Sequence, residues 1–145
     1  MTEKDKQLKQ KVWKWFKTVQ TVHLATWDGK YPRVRPMALI YHEDKFWVST
    51  GARAAKVEQI TSNPAFEFSM TLETDEGMGI LRCSGVADVV EDNETKASIA
   101  GKIPMFHRYW DSPKDPGYGL IHLKVEEVDV ILPGEMISRK FKIQD

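Results

Sequence analysis

Hydrophobic positions recur at three- and four-residue spacing through the first twenty residues, then at every second residue for most of the remaining chain. Leu8, Val12, Phe16 and Val19, with Trp15 beside them, set the first rhythm, which predicts an amphipathic helix over about residues 4 to 20 with its lysines toward water. From Thr21 the period falls to two. The runs TVHLATW and YPRVRPMALIY flank the Asp28-Gly29 turn signal and predict a hairpin, and HEDK before FWVST adds a third strand of an antiparallel meander. A short helix is expected from about Arg53 to Thr61, where Val57 and Ile60 give a buried side and Asn63-Pro64 ends it.

The second half repeats the strand rhythm. AFEFSMTLE places Phe66, Phe68, Met70 and Leu72 on one face; the turn TDEGMG and the longer run ILRCSGVADVV follow. DNETKASIAGKIPMFHRYW reads as helical, with Asp92 as N-cap, a break at Gly101 and Pro104 near a second turn or helix. LIHLKVEEVDVIL closes the sheet, and MISRKFKI adds a last strand. Six or seven closely spaced antiparallel strands with few helices predict a mainly β protein, a barrel with flanking helices, in one domain spanning residues 1–145.

Composition narrows the partners. Lys plus Arg equals Asp plus Glu at 21 each, so the whole-chain charge favours neither nucleic acid nor an acidic membrane, and any basic site must be local. Cys83 is the only cysteine, which excludes an intrachain disulfide framework and suits a reducing, cytoplasmic setting. The charged N-terminus and the lack of a long apolar run indicate neither signal peptide nor membrane anchor. Neither G-x-G-x-x-G after a strand nor G-x-x-x-x-G-K-[ST] occurs, which argues against a Rossmann or P-loop site. His23, His42, His107 and His122 are too scattered for a helical metal site, and no metal is expected. Cys83, mid-strand, reads as a packed thiol.

Candidate chemistry concentrates in residues 33 to 56. Arg33, Arg35 and Met37 share one side of their strand while Val34, Pro36, Ala38 and Ile40 share the other, so the arginine side is expected to be wet or ligand-facing. Pro36 cannot donate to a ladder, which places the strand on an edge or leaves it locally open, with main chain free for a flat ring. Ser49 and Thr50 end the third strand, Gly51 turns the chain, and Arg53 and Lys56 are expected three apart on one face of the next helix. Hydroxyls, helix-start N–H groups and cations suit a phosphate. Taken singly, arginines on a strand are ordinary solvated surface, as is a basic pair on a short helix.

In order and spacing, LAT-x-DG, VRPMAL, ST-G, K-x-x-x-I-x-x-NP and SGVADVVED, within about residues 20 to 92, resemble the pyridoxamine 5'-phosphate oxidase-like FMN-binding split barrels, specifically their general-stress-protein branch. The resemblance implies an FMN whose ring lies along Arg35, Pro36 and Met37, with arginines, Arg33 and Arg35, at its polar end. It implies a phosphate held by Ser49, Thr50 and Lys56, with Arg53 assisting, and a homodimer in which each subunit completes both sites. Trp110 is the candidate wall from the partner. Ala54 and Ala55 stand where the family often has Ser or Arg, and the ending ISRKFKIQD lacks the family's substrate motif, which argues against the vitamin B6 reaction itself.

The function expected from these readings is FMN-dependent oxidation or reduction of a small molecule, with Arg35 stabilising the reduced ring and no protein acid or base assigned. The alternative is a non-enzymatic stress protein that binds a flavin, haem or deazaflavin. A domain whose ligand site has decayed is the third reading. Five tryptophans, six phenylalanines and four tyrosines exceed what one narrow interior uses, so either a subunit contact takes some or Trp13 and Trp15 simply seat the first helix.

Overall fold

A computed structural model describes residues 1–143. Thr2 opens the first element by reciprocal capping: its hydroxyl accepts from the Asp5 N–H at 3.1 Å, while the Asp5 carboxylate accepts from the Thr2 N–H at 3.4 Å. Helix α1 runs Glu3–Trp13, shorter than the span to about residue 20 that the spacing predicts. The reason lies in the sheet. The Tyr41 N–H donates to the Thr18 carbonyl at 2.9 Å, and strand β1 begins at Val19. Phe16 and Val19 keep the apolar spacing because both are covered, Phe16 by the barrel core and Val19 by a separate outer cluster. The periodicity recorded burial after the helix had ended.

The remaining elements follow the expected order: β1 (Val19–Trp27), β2 (Pro32–His42), β3 (Lys45–Gly51), α2 (Ala55–Ser62), β4 (Ala65–Thr74), β5 (Gly77–Val89), α3 (Asn93–Ala100), α4 (Phe106–Tyr109), β6 (Tyr118–Ile131) and β7 (Arg139–Lys142). All pairings are antiparallel. Strands β1, β2, β3, β6, β5 and β4 close into a six-stranded barrel, and β7 lies outside the ring. One edge of β6 pairs with β5, while the other is divided between β3 at Tyr118–Leu123 and β7 at Glu127–Val130. Asp92 caps α3 by accepting from the Thr95 N–H at 3.0 Å, as its place before the helical run implies.

Inward-facing residues fill the barrel, including Val22, Leu24, Leu39, Val48, Phe68, Leu81 and Leu123. Trp13 packs on Phe16, Phe46 and Phe141 with centroids at 5.4, 5.8 and 6.4 Å, and Trp15, just beyond the end of α1, also packs on the core, as the sequence suggests for both tryptophans. Fully buried Val12 contributes roughly 1.5–3 kcal/mol to this docking. Outside the barrel, Ile40, Trp47, Tyr118 and Leu120 form a second cluster with Ile99, Ala100 and Phe106 from α3 and α4. The two clusters lie on opposite faces of β2 and β3.

Gly85 marks a register shift: Ser84 pairs with Glu127 but Gly85 with Val125, so β6 carries an extra residue there. A Cβ at position 85 would stand 1.9 Å from the Lys124 carbonyl oxygen. Gly85→Ala is therefore expected to destabilise the fold by about 3 kcal/mol or more, measured as a lower denaturant midpoint. A loss of under about 1 kcal/mol would show that the strands relax around the added methyl.

Candidate functional site

Strand β2 pairs with β1 from Pro32 to Ile40, but β3 joins it only at Leu39–His42. Beyond the Leu39–Val48 pair the two strands part, and β3 continues against β6 alone. The β3-side edge of β2 is open from Pro32 to Ala38, where Pro36 has no N–H to offer. The locally open strand expected from Pro36 is what the pairing shows.

The mouth created by this parting is polar. Arg35 lies opposite Leu24, and Thr50 is only 7% exposed. Arg35 Nη1 donates to Thr26 Oγ1 at 2.8 Å and to the Leu24 carbonyl at 3.3 Å, and Nη2 donates to Gln59 Oε1 at 3.2 Å. Thr26 Oγ1 in turn donates to Gln59 Oε1 at 2.5 Å. From α2, Lys56 Nζ reaches Thr50 Oγ1 at 2.5 Å. Arg35 and Lys56 thus face one neighbourhood. Burial, and then the charge of Arg35, hold the Lys56 ammonium below its ordinary pKa, and burial lowers that of Arg35. Among the described residues neither cation has a carboxylate within ion-pair distance.

The start of α2 adds donors. Ala54 is its N-cap and makes no side-chain cap bond; the Val57 N–H donates to the Ala54 carbonyl at 3.0 Å, and the Ala55 and Lys56 N–H groups ahead of it suit an anion. Lys56 and Thr50 are in contact, and the charge of Arg35 is felt at Lys56, beside the start of α2. Gln59 also lines the adjoining groove of about 480 Å³, between the β1–β2 hairpin and α2, with Trp27, Ala55 and Glu58. A groove of about 440 Å³ across β4–β7 is unsuited to an anion, because its Arg82 and Lys142 already pair with Asp129 and Glu127.

Other expected site residues fall elsewhere. The arginine side of β2 turns out to face inward at the barrel mouth, and the exposed side carries Val34, 64% accessible, with Pro36 and Ala38. Alternation separates the faces without saying which lies inside; here the interior at this end is filled by polar groups. Arg33 is engaged at the hairpin tip, 2.6 Å from Asp28, whose carboxyl is lowered to about 2 by the Tyr31 N–H, then by Arg33 and the Lys30 N–H. Met37 is half-buried against the core. Ser49 and Thr50 point to opposite faces, so only Thr50 meets Lys56. Arg53 is exposed in the turn before α2, which starts at Ala55, so it does not share a helix face with Lys56. Trp110 packs on Phe106 and Tyr118, at 5.3 and 5.0 Å, in the outer cluster. Residue type alone does not mark Thr26 or Gln59 in the sequence; position 59 falls three residues after Lys56 on one helix face, the one signal that points to it.

A six-stranded barrel that splits between β2 and β3, with Arg35 and Lys56 at the mouth, defines a split barrel. Residues 8–132 match the family model for pyridoxamine 5'-phosphate oxidase, and the chain belongs to that family. Similar folds include general stress protein 26 from Bacillus anthracis, 22% identical over 94% of this chain and 98% of that one, TM-score 0.73. A NimC/NimA family protein from Clostridium acetobutylicum is 20% identical over 94% and 93%, TM-score 0.75. A heme-binding protein from Mycobacterium smegmatis is 13% identical over 86% of this chain and 53% of that one, TM-score 0.69. No curated protein matches significantly. Among the described residues, no helix is long and apolar enough to cross a membrane.

Burial disfavours the charges of Arg35 and Lys56, and Arg35 further disfavours that of Lys56. Lys56→Met, which keeps the apolar stem, is expected to stabilise the ligand-free protein by about 1 kcal/mol, a value discounted for screening at the open rim. The folded-state Lys56 pKa lies below its usual 10.5, so just under that pH the unfolded chain binds more protons and wild-type stability climbs as pH rises. The variant should lack this climb. Chemical denaturation across alkaline pH checks both, and a destabilised variant would contradict the assignment.

Proposed function

We propose that this chain binds FMN at the split and serves as an FMN-dependent oxidoreductase of a small molecule. The observation that carries the reading is the pair Arg35 and Lys56, held at the barrel mouth by neutral acceptors and, among the described residues, with no carboxylate within ion-pair distance. A phosphate monoester supplies the missing charge: it takes the Lys56 ammonium, the Thr50 hydroxyl, the first-turn N–H groups of α2 and the unfilled guanidinium edge of Arg35. Arg35 accordingly serves the phosphate in place of the ring's pyrimidine edge. The open edge of β2 at Pro36 and Met37 offers main chain to a flat ring.

Ala54 and Ala55 do not weaken this fit. An N-cap without a side-chain acceptor leaves the helix donors to the ligand, and small side chains let a phosphate approach. The exposed apolar side of β2, with Val34 and nearby Trp27 and Tyr31 at 41% and 50% exposure, supports a homodimer in which a second copy covers this face and walls the ring. FMN bound there supplies hydride or single-electron transfer; the chain binds the phosphate, orients the ring and excludes water. Among the described residues, Arg35 bonds to no histidine or carboxylate, and the second reading is a passive flavin carrier.

Titration of purified protein with FMN tests the first step. Saturable binding is expected, with stabilisation of about 2.7 kcal/mol at a hundred times Kd and a loss of affinity of about tenfold or more in Lys56→Ala. Reduction of the bound flavin by NADH or NADPH, faster than that of free FMN, separates enzyme from carrier. A protein that fails to bind added FMN contradicts the reading.

A further inference from the structure

Among the described residues, no carboxylate tethers Arg35. Its three acceptors are the Leu24 carbonyl, the Thr26 hydroxyl and the Gln59 side-chain carbonyl, all uncharged. Such a shell fixes a guanidinium without neutralising it. The direction of every proton in it is determined by chemistry. Arginine only donates, so Thr26 Oγ1 accepts from Arg35 and must turn its own hydrogen to Gln59 Oε1, 2.5 Å away. The Gln59 amide must then present oxygen, since the reverse orientation would set its NH₂ against guanidinium N–H groups.

This geometry also decides which donors remain. Nη1 spends both hydrogens, on Leu24 and Thr26, and Nη2 spends one on Gln59. Because Thr26 Oγ1 and Gln59 Oε1 touch each other, they occupy the same outer edge of the guanidinium, spanning Nη1 and Nη2. Left over are Nε–H and the second Nη2–H, the parallel pair that donates to two oxygens of one oxyanion. Among the described residues these two donors have no partner.

We propose that Gln59 and Thr26 are positioning residues that clamp the outer edge of Arg35 so that its Nε/Nη2 fork stays charged and aimed at a phosphate monoester, making the site selective for a phosphorylated ligand over its dephosphorylated counterpart. The inference rests on the FMN reading above. Gln59 carries the specificity through its lack of charge: a glutamate of the same length at this position would pair with Arg35 and cancel half of the site's positive charge.

The test compares FMN with riboflavin, which share the ring and differ in the phosphate, by fluorescence titration of wild type and variants, with melting curves as a check on folding. Wild type is expected to prefer FMN. Gln59→Glu should fold as well as wild type, keep its riboflavin affinity and lose FMN affinity by about thirtyfold or more, while Gln59→Leu loses about tenfold. Thr26→Ser should behave as wild type and Thr26→Val as a milder Gln59→Leu, a contrast that a purely structural role for the methyl would not give. If wild type prefers FMN and Gln59→Glu retains that preference unchanged, the clamp is wrong while the phosphate site stands. A wild-type protein that binds both ligands alike, or neither, removes the phosphate reading and this inference with it.

Discussion

Two like charges whose neighbourhood offers no carboxylate partner among the described residues set the terms for this molecule. Arg35 and Lys56 stand at the barrel mouth where burial disfavours both charges and where Arg35 further disfavours that of Lys56. Proteins ordinarily neutralise such pairs with a carboxylate. Here the acceptors are hydroxyls, a main-chain carbonyl and an amide, which direct the donors while leaving the charge for something outside the chain to balance.

The fold produces this arrangement through one departure from regular pairing. Had β2 and β3 stayed zipped beyond Leu39 and Val48, the Arg35 segment would have been enclosed in the sheet. Their separation, with Pro36 withholding a donor, opens the mouth, and β3 instead satisfies its backbone against β6. The opposite end of β2 is closed: Phe16, Tyr41 and Phe46 pack there at 4.7 to 5.6 Å. A rigid aromatic end and a polar open end on the same strands are what a ligand site on a scaffold requires.

Much of this was legible in the sequence. Strict alternation in TVHLATW and AFEFSMTLE and the turn signals between them located the strands, because a two-residue period has one structural meaning. The open edge was readable from Pro36 and the basic turn from Arg53 and Lys56. The end of α1 was not, since Phe16 and Val19 continue the helical spacing for reasons of tertiary burial. Nor was the direction of the arginine face. Val34, Pro36 and Ala38 resemble a core face, yet only Ile40 on that side is covered, by residues from α3 and α4 far along the chain. Gln59 carried no mark beyond its spacing from Lys56, because an amide acquires its role only when Thr26 and Arg35, from two other elements, arrive beside it.

The central claim is that Arg35 and Lys56 share one dianionic ligand group. The most direct measurement is the phosphorus NMR titration of FMN in complex with the protein. Two adjacent cations should keep the bound phosphate dianionic well below its free second pKa of about 6, and the resonance should hold its dianion position as pH falls through that value. A bound phosphate that titrates as free FMN does, or the absence of any bound resonance, would contradict the account.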